Sequence, residues 1–500
     1  MFFFVNQYLL SSNSSIEHAE IKRLKLFKRH EVPAKLVTRD FDNIIHATLK
    51  RFGLEDDQLV NMFDFFAQTT DYQGQACRVP DLNLPIDYQV SSGSNSRTIS
   101  AGDRVVAEVF FIGGTYGQVD HIDYYDAAGN TTLRQKYDIR GFKAIDISYG
   151  ENGRPYYERY YRPDGKLYLE RYYVQSVKDT PINSLNVLHD YQGKDYYFDD
   201  FESLFTFFIN ELNASVKETN TFIADRPAMA IQPVQQLGKS AKKFLWLPIS
   251  HIDDGQDLIN GPLNGMLNDP LTKDLNKWDG IIVMTATQAA VLQERLGKSA
   301  PIYTVNGSPV YPTAQRIPIS QRTPNQLIYV GRLGNDKGTD LLLQLFAKVH
   351  QEVPGSKLTL YGYGSTDDTK TYKETVKKLN LTNAVTFAGY QPNLEDAYDQ
   401  AQLFVDPSRL DGQPLAMAEA LAHGVPVVSF NYLYGPNELV KDGVDGQLIP
   451  LNKPNDLSAT IIKLLNDKDK LQQLSTAAYE NCQSFSADQT WAQWQAVINK

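Results

Sequence analysis

The chain has 500 residues, too many for one hydrophobic core and enough for two or three domains. Hydrophobic residues make up 42% and charged residues 22%, the balance of an ordinary globular protein. A net charge of −10 argues against general binding to nucleic acid or an anionic membrane, and weakly against a polyanionic acceptor. Only Cys77 and Cys482 are present, far apart, so neither a disulfide framework nor a cysteine metal site is expected. The eight histidines show no HxxxH grouping, so no structural metal is expected either.

In chain order, MFFFVNQYLL lacks a basic leader and a cleavage site, and Phe2 to Tyr8 reads as a buried strand rather than a signal peptide. A polar loop, Ser11 to Ser15, leads into a helix predicted over Ile16 to Arg29, and Lys35 to Thr38 supplies a second strand. From about residue 80 to 200, Tyr, Phe and Val alternate with charged residues, while AAGN, ENGRP and PDGK supply the Gly and Asn that tight turns require. That stretch is predicted to be an antiparallel meander inserted into the first α/β domain. Its tyrosines suit a subunit interface, and equally the outer face of a hydrated sheet. FESLFTFFINELN returns to helix, and FLWLPISH, GIIVMTATQAAVLQERLG and PIYTVNG read as strand–helix units and a closing strand. Residues 312 to 326, rich in Pro, Gln and Arg, read as a linker. The tail SADQTWAQWQAVINK is a short amphipathic helix with Trp491, Trp494 and Val497 on one face. No apolar run approaches the roughly 20 residues of a membrane span. A cytoplasmic location is expected, with peripheral attachment to the inner face of the membrane left open.

Residues 327 to 450 are the most informative. LIYVGRLGNDKGTDLLL, LTLYGYG, VTFAGY, LFVDPSRLDGQPLAMAEALAHGVPVVSF and NELVKDGVDGQLI alternate short apolar runs with helical segments, and a Gly-rich corner closes nearly every strand. This is the rhythm of a doubly wound parallel sheet. Arg332 and Lys337 project from one strand–helix corner, where Gly331 allows close backbone approach and Gly338 opens the helix. Taken alone, such a pair is as readily a solvated turn, and Asp411 in its Asp-Gly step as readily a turn former.

The order of these pieces resembles the nucleotide-sugar-binding half of a family 4 retaining glycosyltransferase. Its closest resemblance is to a group from Gram-positive bacteria with a β-meander insert. Some of these add α-linked sugars to wall teichoic acid, a poly(polyol-phosphate). Others add N-acetylglucosamine to Ser or Thr of serine-rich adhesins, working with a related subunit. The resemblance implies an α/β GT-B fold, two Rossmann-like domains facing a cleft, with the antiparallel β-meander inserted in the first. The implied division is 1–80 and 200–315 for the acceptor domain, 81–199 for the meander, 316–480 for the nucleotide-sugar domain, and 481–500 for a helix crossing back to the first domain, with plain core packing of its tryptophans in the second domain equally open.

The resemblance also assigns roles. Without a metal, Arg332 and Lys337 would neutralise the donor diphosphate. Gly331, Gly364 and Tyr390 would line the nucleotide, Asp411 would orient the sugar, and Glu419, eight positions on, would grip the ribose hydroxyls. Backbone near Gln413, Pro414 and Leu415 would help hold sugar or phosphate, although Pro414 has no N–H to offer. Ser14 and Ser15 stand in the donor or acceptor loop, or serve as a helix N-cap with Glu17 and Glu20 in the first turn. Three positions depart from active members: Ser15 replaces a glycine, Pro248 a histidine, and Asp411 a glutamate. His251 stands three residues beyond Pro248 and either substitutes or is a surface or capping histidine.

The expected function is therefore transfer of N-acetylglucosamine or glucose from a UDP-sugar to a hydroxyl acceptor with retention, in bacterial protein O-glycosylation. The acceptor would be a Ser/Thr-rich protein or a polyol-phosphate polymer. The alternative is a degenerate partner that binds acceptor protein for an active paralogue. UDP-sugar is a substrate, no cofactor or metal is expected, and the partner is a paralogous subunit or a second copy; no nucleic acid is expected.

Overall fold

The computed structural model describes residues 1–176, 180–253, 255–313 and 315–499. Residue 314 of the stretch read as a linker, and 177–179 of the stretch read as the meander, lie outside that description. The chain forms two compact units. The first comprises Met1–Ser11, Ala34–Phe222 and Gln232–Ala241; the second comprises Ser12–Pro33, Ile223–Ile231 and Lys242–Lys500.

In the first unit, strands Phe2–Asn6, Ala34–Thr38 and Leu59–Asn61 pair in parallel, in that order. All five residues of Phe2–Asn6 are buried, which explains its unbroken apolar run. The meander is a ten-stranded antiparallel sheet running from Gln89–Val90 to Lys194–Phe198, each strand beside its sequence neighbour. The three turns read from sequence are present: Gly129, Gly153 and Gly165 have φ of 86°, 69° and 79°. Each glycine donates its N–H back to the carbonyl three residues earlier, on Asp126, Gly150 and Arg162. Part of the sheet buries a small cluster of Cys77, Ile99, Ala107, Val109, Val119 and Ile122.

The second unit carries a six-stranded parallel sheet. In spatial order its strands are Val385–Gly389, Lys357–Tyr361, Gln326–Val330, Leu403–Asp406, Val427–Phe430 and Gly446–Ile449. Numbered along the chain this is 3-2-1-4-5-6, the doubly wound order. The order reverses between Gln326–Val330 and Leu403–Asp406, which makes the carboxyl ends of those two strands the topological switch point of the sheet. Helix Thr339–Glu352 packs on the sheet through Leu342, Phe346 and Val349, whose spacing places them on one face. A second parallel set, Ala241–Leu247, Gly280–Val283 and Ile302–Thr304, also lies largely in this unit.

Helix α1 (Ser15–Arg29) belongs to the second unit although it follows the first strand of the other. Its Arg23 pairs with Asp225 at 2.8 Å, both fully shielded, and lies 4.6 Å from the Trp246 ring. The terminal helix α2 (Ala487–Ile498) packs against it. Trp494 meets Phe27 edge-on at 5.2 Å and stacks on Trp246 at 5.8 Å, while Trp491 stacks on His30 at 4.1 Å.

Candidate nucleotide-sugar site

Two loops leave the switch point of the six-stranded sheet, and close packing brings them together. At Gly362 (φ 134°) an added Cβ would stand 1.9 Å from the Gly331 carbonyl oxygen, so these strand ends meet only because the residue is glycine. Gly338 has a φ of 69°, and a Cβ there would stand 2.5 Å from the Pro407 carbonyl oxygen. That approach lays the 331–338 loop on the segment following Asp406. Lys337 Nζ consequently bonds Asp411 Oδ2 at 2.7 Å and reaches the Leu410 carbonyl at 3.4 Å. Both side chains are about four-fifths covered. Burial works against the Lys337 charge, but the Asp411 carboxylate outweighs it and raises its pKa above the usual lysine value. Arg332 is half-exposed and ion-pairs with Asp336 on its own loop.

Behind this pair stands Asp406, fully buried and pushed upward in pKa by that burial, accepting from Ser408 N at 2.9 Å and the Tyr432 hydroxyl at 2.7 Å. The following loop is fixed by contacts the sequence did not disclose. A Cβ on Gly412 would lie 2.2 Å from the Pro248 carbonyl oxygen. Gln413 is buried, and its side-chain amide accepts from Gly307 N at 2.8 Å and donates to the Met284 carbonyl at 3.2 Å. Its side chain therefore braces the loop. Pro414 is the N-cap of helix α3 (Leu415–Ala422), with Leu415 buried as its first residue. Gly364 takes up close packing of its own, 2.5 Å from the Leu333 carbonyl oxygen to a built Cβ.

Glu419, on α3, holds two partners. One oxygen pairs with Lys22 Nζ of α1, and the other accepts from the Tyr398 hydroxyl at 2.9 Å. Burial opposes its charge, and the Lys22 ammonium overrides that, holding the carboxyl below its usual range. One helical turn before Lys22, His18 Nε2 lies 3.0 Å from the Tyr390 hydroxyl. Burial pushes the His18 pKa down, so its imidazole is neutral near pH 7.

Ser14 is the N-cap of α1, and its N and Oγ both donate to Glu17 Oε2, at 2.9 and 2.7 Å. Ser15 opens the helix. This is the capping arrangement foreseen as one of two readings for the serine loop. His251 is fully buried, with Nε2 on the Leu258 carbonyl at 3.0 Å, so Nε2 carries the proton and Nδ1 is the free acceptor. Burial lowers its pKa, and its ring stacks on buried Tyr434 at 6.2 Å. It is neither a surface nor a capping residue.

The structure thus brings Lys337 to Asp411, and Glu419 and Tyr390 to α1, all within one unit. Lys22, His18 and Tyr398 were missed. The only sequence signal for the first two was their i, i+4 spacing, which places them on one helix face. Among the described residues no group of three or more His, Cys, Asp or Glu is placed to hold a metal ion.

The switch point thus holds Lys337 against Asp411, with Glu419 eight positions on. Residues 312–481 match the family model Glycosyl transferases group 1, and residues 88–185 match the GtfB middle domain. The chain therefore carries a group 1 glycosyltransferase domain. It is 22% identical over 508 residues to the poly(ribitol-phosphate) alpha-N-acetylglucosaminyltransferase of Staphylococcus aureus, covering 95% of both chains. It is 23% identical over 514 residues to the UDP-N-acetylglucosamine–peptide N-acetylglucosaminyltransferase GtfA subunit of Streptococcus pneumoniae, covering 98% of this chain and 97% of the other. With the Streptomyces coelicolor exopolysaccharide phosphotransferase it shares 30% identity over 240 residues, and there it spans only 25% of the relative's length. The crystal structure of the pneumococcal O-GlcNAc transferase GtfA with UDP and GlcNAc superposes with a TM-score of 0.86 at 19% identity, covering 100% and 98% of the chains. The GT-B fold with an inserted meander, expected from sequence, is borne out.

Proposed function

We propose that this protein transfers N-acetylglucosamine, or glucose, from a UDP-sugar to a hydroxyl of a Ser/Thr-rich protein with retention of configuration. The observation that carries this reading is the Lys337–Asp411 pair at the switch point, with Glu419 eight positions on. In that role Lys337, assisted by Arg332, stabilises the departing diphosphate electrostatically. Asp411 orients sugar hydroxyls and Glu419 the ribose. The sugar–phosphate bond breaks with its electrons leaving on UDP, the acceptor oxygen bonds to the anomeric carbon on the same face, and a departing phosphate oxygen takes the acceptor's proton. Nothing in the scheme requires a metal. No helix among the described residues is long and apolar enough to cross a membrane, in keeping with the cytoplasmic location we propose for a UDP-sugar enzyme.

Specific observations favour a second reading, the catalytically weak partner. Both Glu419 oxygens are engaged, His251 Nε2 is tied to the Leu258 carbonyl, and Ser14 caps a helix that Ser15 opens. The match of residues 88–185 to a GtfB middle domain points the same way. Purified protein is titrated with UDP and UDP-N-acetylglucosamine, then assayed for hydrolysis and transfer to a Ser/Thr-rich peptide, alone and with a paralogue. Turnover alone that disappears in Lys337→Ala is the expected result. Peptide binding without turnover, restored by the paralogue, would establish the partner role instead.

A further inference from the structure

Resting on the donor-site reading above, we propose that Lys22 sets the nucleotide affinity of this protein by competing with the ribose for Glu419. A ribose diol presents two hydroxyl donors and needs both oxygens of one carboxylate to hold them in a fork. Glu419 has only two oxygens, and here Lys22 takes one and Tyr398 the other. Tyr398 is fully buried in the sheet's own core cluster and is fixed there, its backbone carbonyl also accepting from Arg322 at 2.9 Å. Lys22 is the replaceable partner: its side chain is 27% exposed and sits on a different element. The neighbouring contact has the same character, because His18 of the same helix face engages Tyr390, one of the residues expected to line the nucleotide. Two successive turns of α1 therefore cover the two residues that a nucleoside needs.

The helix is also built to hold this position. Arg23 is locked to Asp225 and lies over Trp246, and Phe27 is clamped by Trp491 and Trp494. A ribose that forks onto Glu419 shares with Lys22 the oxygen the ammonium holds, and the charge-assisted contact is weakened or displaced in proportion. This contact is self-inhibitory: it lowers affinity for the nucleoside portion without touching the diphosphate cations.

The test is calorimetric titration of the full chain with uridine and UDP. Lys22→Met keeps helix propensity and apolar stem while removing the ammonium. It is expected to bind both ligands about tenfold more tightly, the size of one charge-assisted hydrogen bond removed from the competitor. Lys22→Arg should return to the parent value. Far-UV circular dichroism and melting temperature check the fold, with Lys22→Gln as a second neutral variant. Equal or weaker binding by both neutral variants, while the parent binds UDP, overturns the competition and leaves the donor site standing. Absence of UDP binding in parent and variants alike overturns both.

Discussion

Lys337 and Asp411 are each other's principal counter-ion, 2.7 Å apart and mostly covered. In the proposed donor site a diphosphate would share Lys337 with Asp411, whereas the sugar would use the carboxylate. The two halves of the pair therefore predict different losses. Lys337→Ala should weaken UDP binding by about ten- to a hundredfold, the range of a hydrogen bond to a charged group. Asp411→Asn frees the ammonium, so UDP should bind at least as well as before while UDP-N-acetylglucosamine binds more weakly. Titrating both ligands into both variants checks this, and a parallel loss of UDP in the two would deny the division of labour. Arg332 should matter less, because it is half-exposed and already paired with Asp336.

Individual elements show what the primary structure disclosed. The strand–helix corners of 327–450 and the hairpins of the meander were legible because each rests on residues close in sequence. Gly338 and Lys337 share one loop, and Gly129, Gly153 and Gly165 sit in their own turns. The bracing of Gln413 by Gly307 and Met284 was not legible, since more than a hundred residues separate the partners. Nor was the burial of His251, whose carbonyl partner is set by a loop without periodicity. The loop before strand Gly446–Ile449 offers a pH test at this scale. Asp445 is buried there, accepts from Lys441 N at 2.8 Å, and burial pushes its pKa up to about 6. Its folded pKa exceeds the unfolded one, near 3.9. The folded chain thus holds a proton that the unfolded chain has released between about pH 4 and 6. The stabilisation is full below that window and is lost as pH rises through it. Asp445→Asn removes the dependence: relative to the parent, its melting temperature should match at pH 4 and lie roughly 2–6 °C higher at pH 7. Thermal melts across that range measure the difference; an unchanged gap at both ends would mean the carboxyl titrates normally.

The whole molecule adds a link that neither residues nor elements show alone. Lys22 and Glu419 are 397 positions apart, and α1 is held to the later part of the chain by Asp225, which pairs with Arg23, and by Trp246, Trp491 and Trp494. Trp494 is 1% exposed, stacked on Trp246, edge-on to Phe27, and within 5.5 Å of the Arg23 guanidinium. Truncating it to Ala would cost about 3–5 kcal/mol, enough to threaten the fold. Trp494→Phe keeps one aromatic ring next to Cβ, vacates the outer part of the indole site and leaves it apolar, so it loosens the support of α1 without abolishing it. If the terminal helix holds Lys22 against Glu419, that loosening lowers the local concentration of the competing ammonium. Uridine should then bind more tightly to Trp494→Phe, by less than to Lys22→Met. In the double variant the gain should not exceed that of Lys22→Met alone, because both changes act through the same contact. Ligand-induced shifts in melting temperature give an independent reading, since a nucleotide that binds only the folded state stabilises it in proportion to the logarithm of its occupancy ratio. Trp494→Phe should melt lower than the parent without ligand and recover more of that loss in saturating uridine. Additive gains in the double variant would show that the tryptophan acts on the nucleotide by a route other than Lys22.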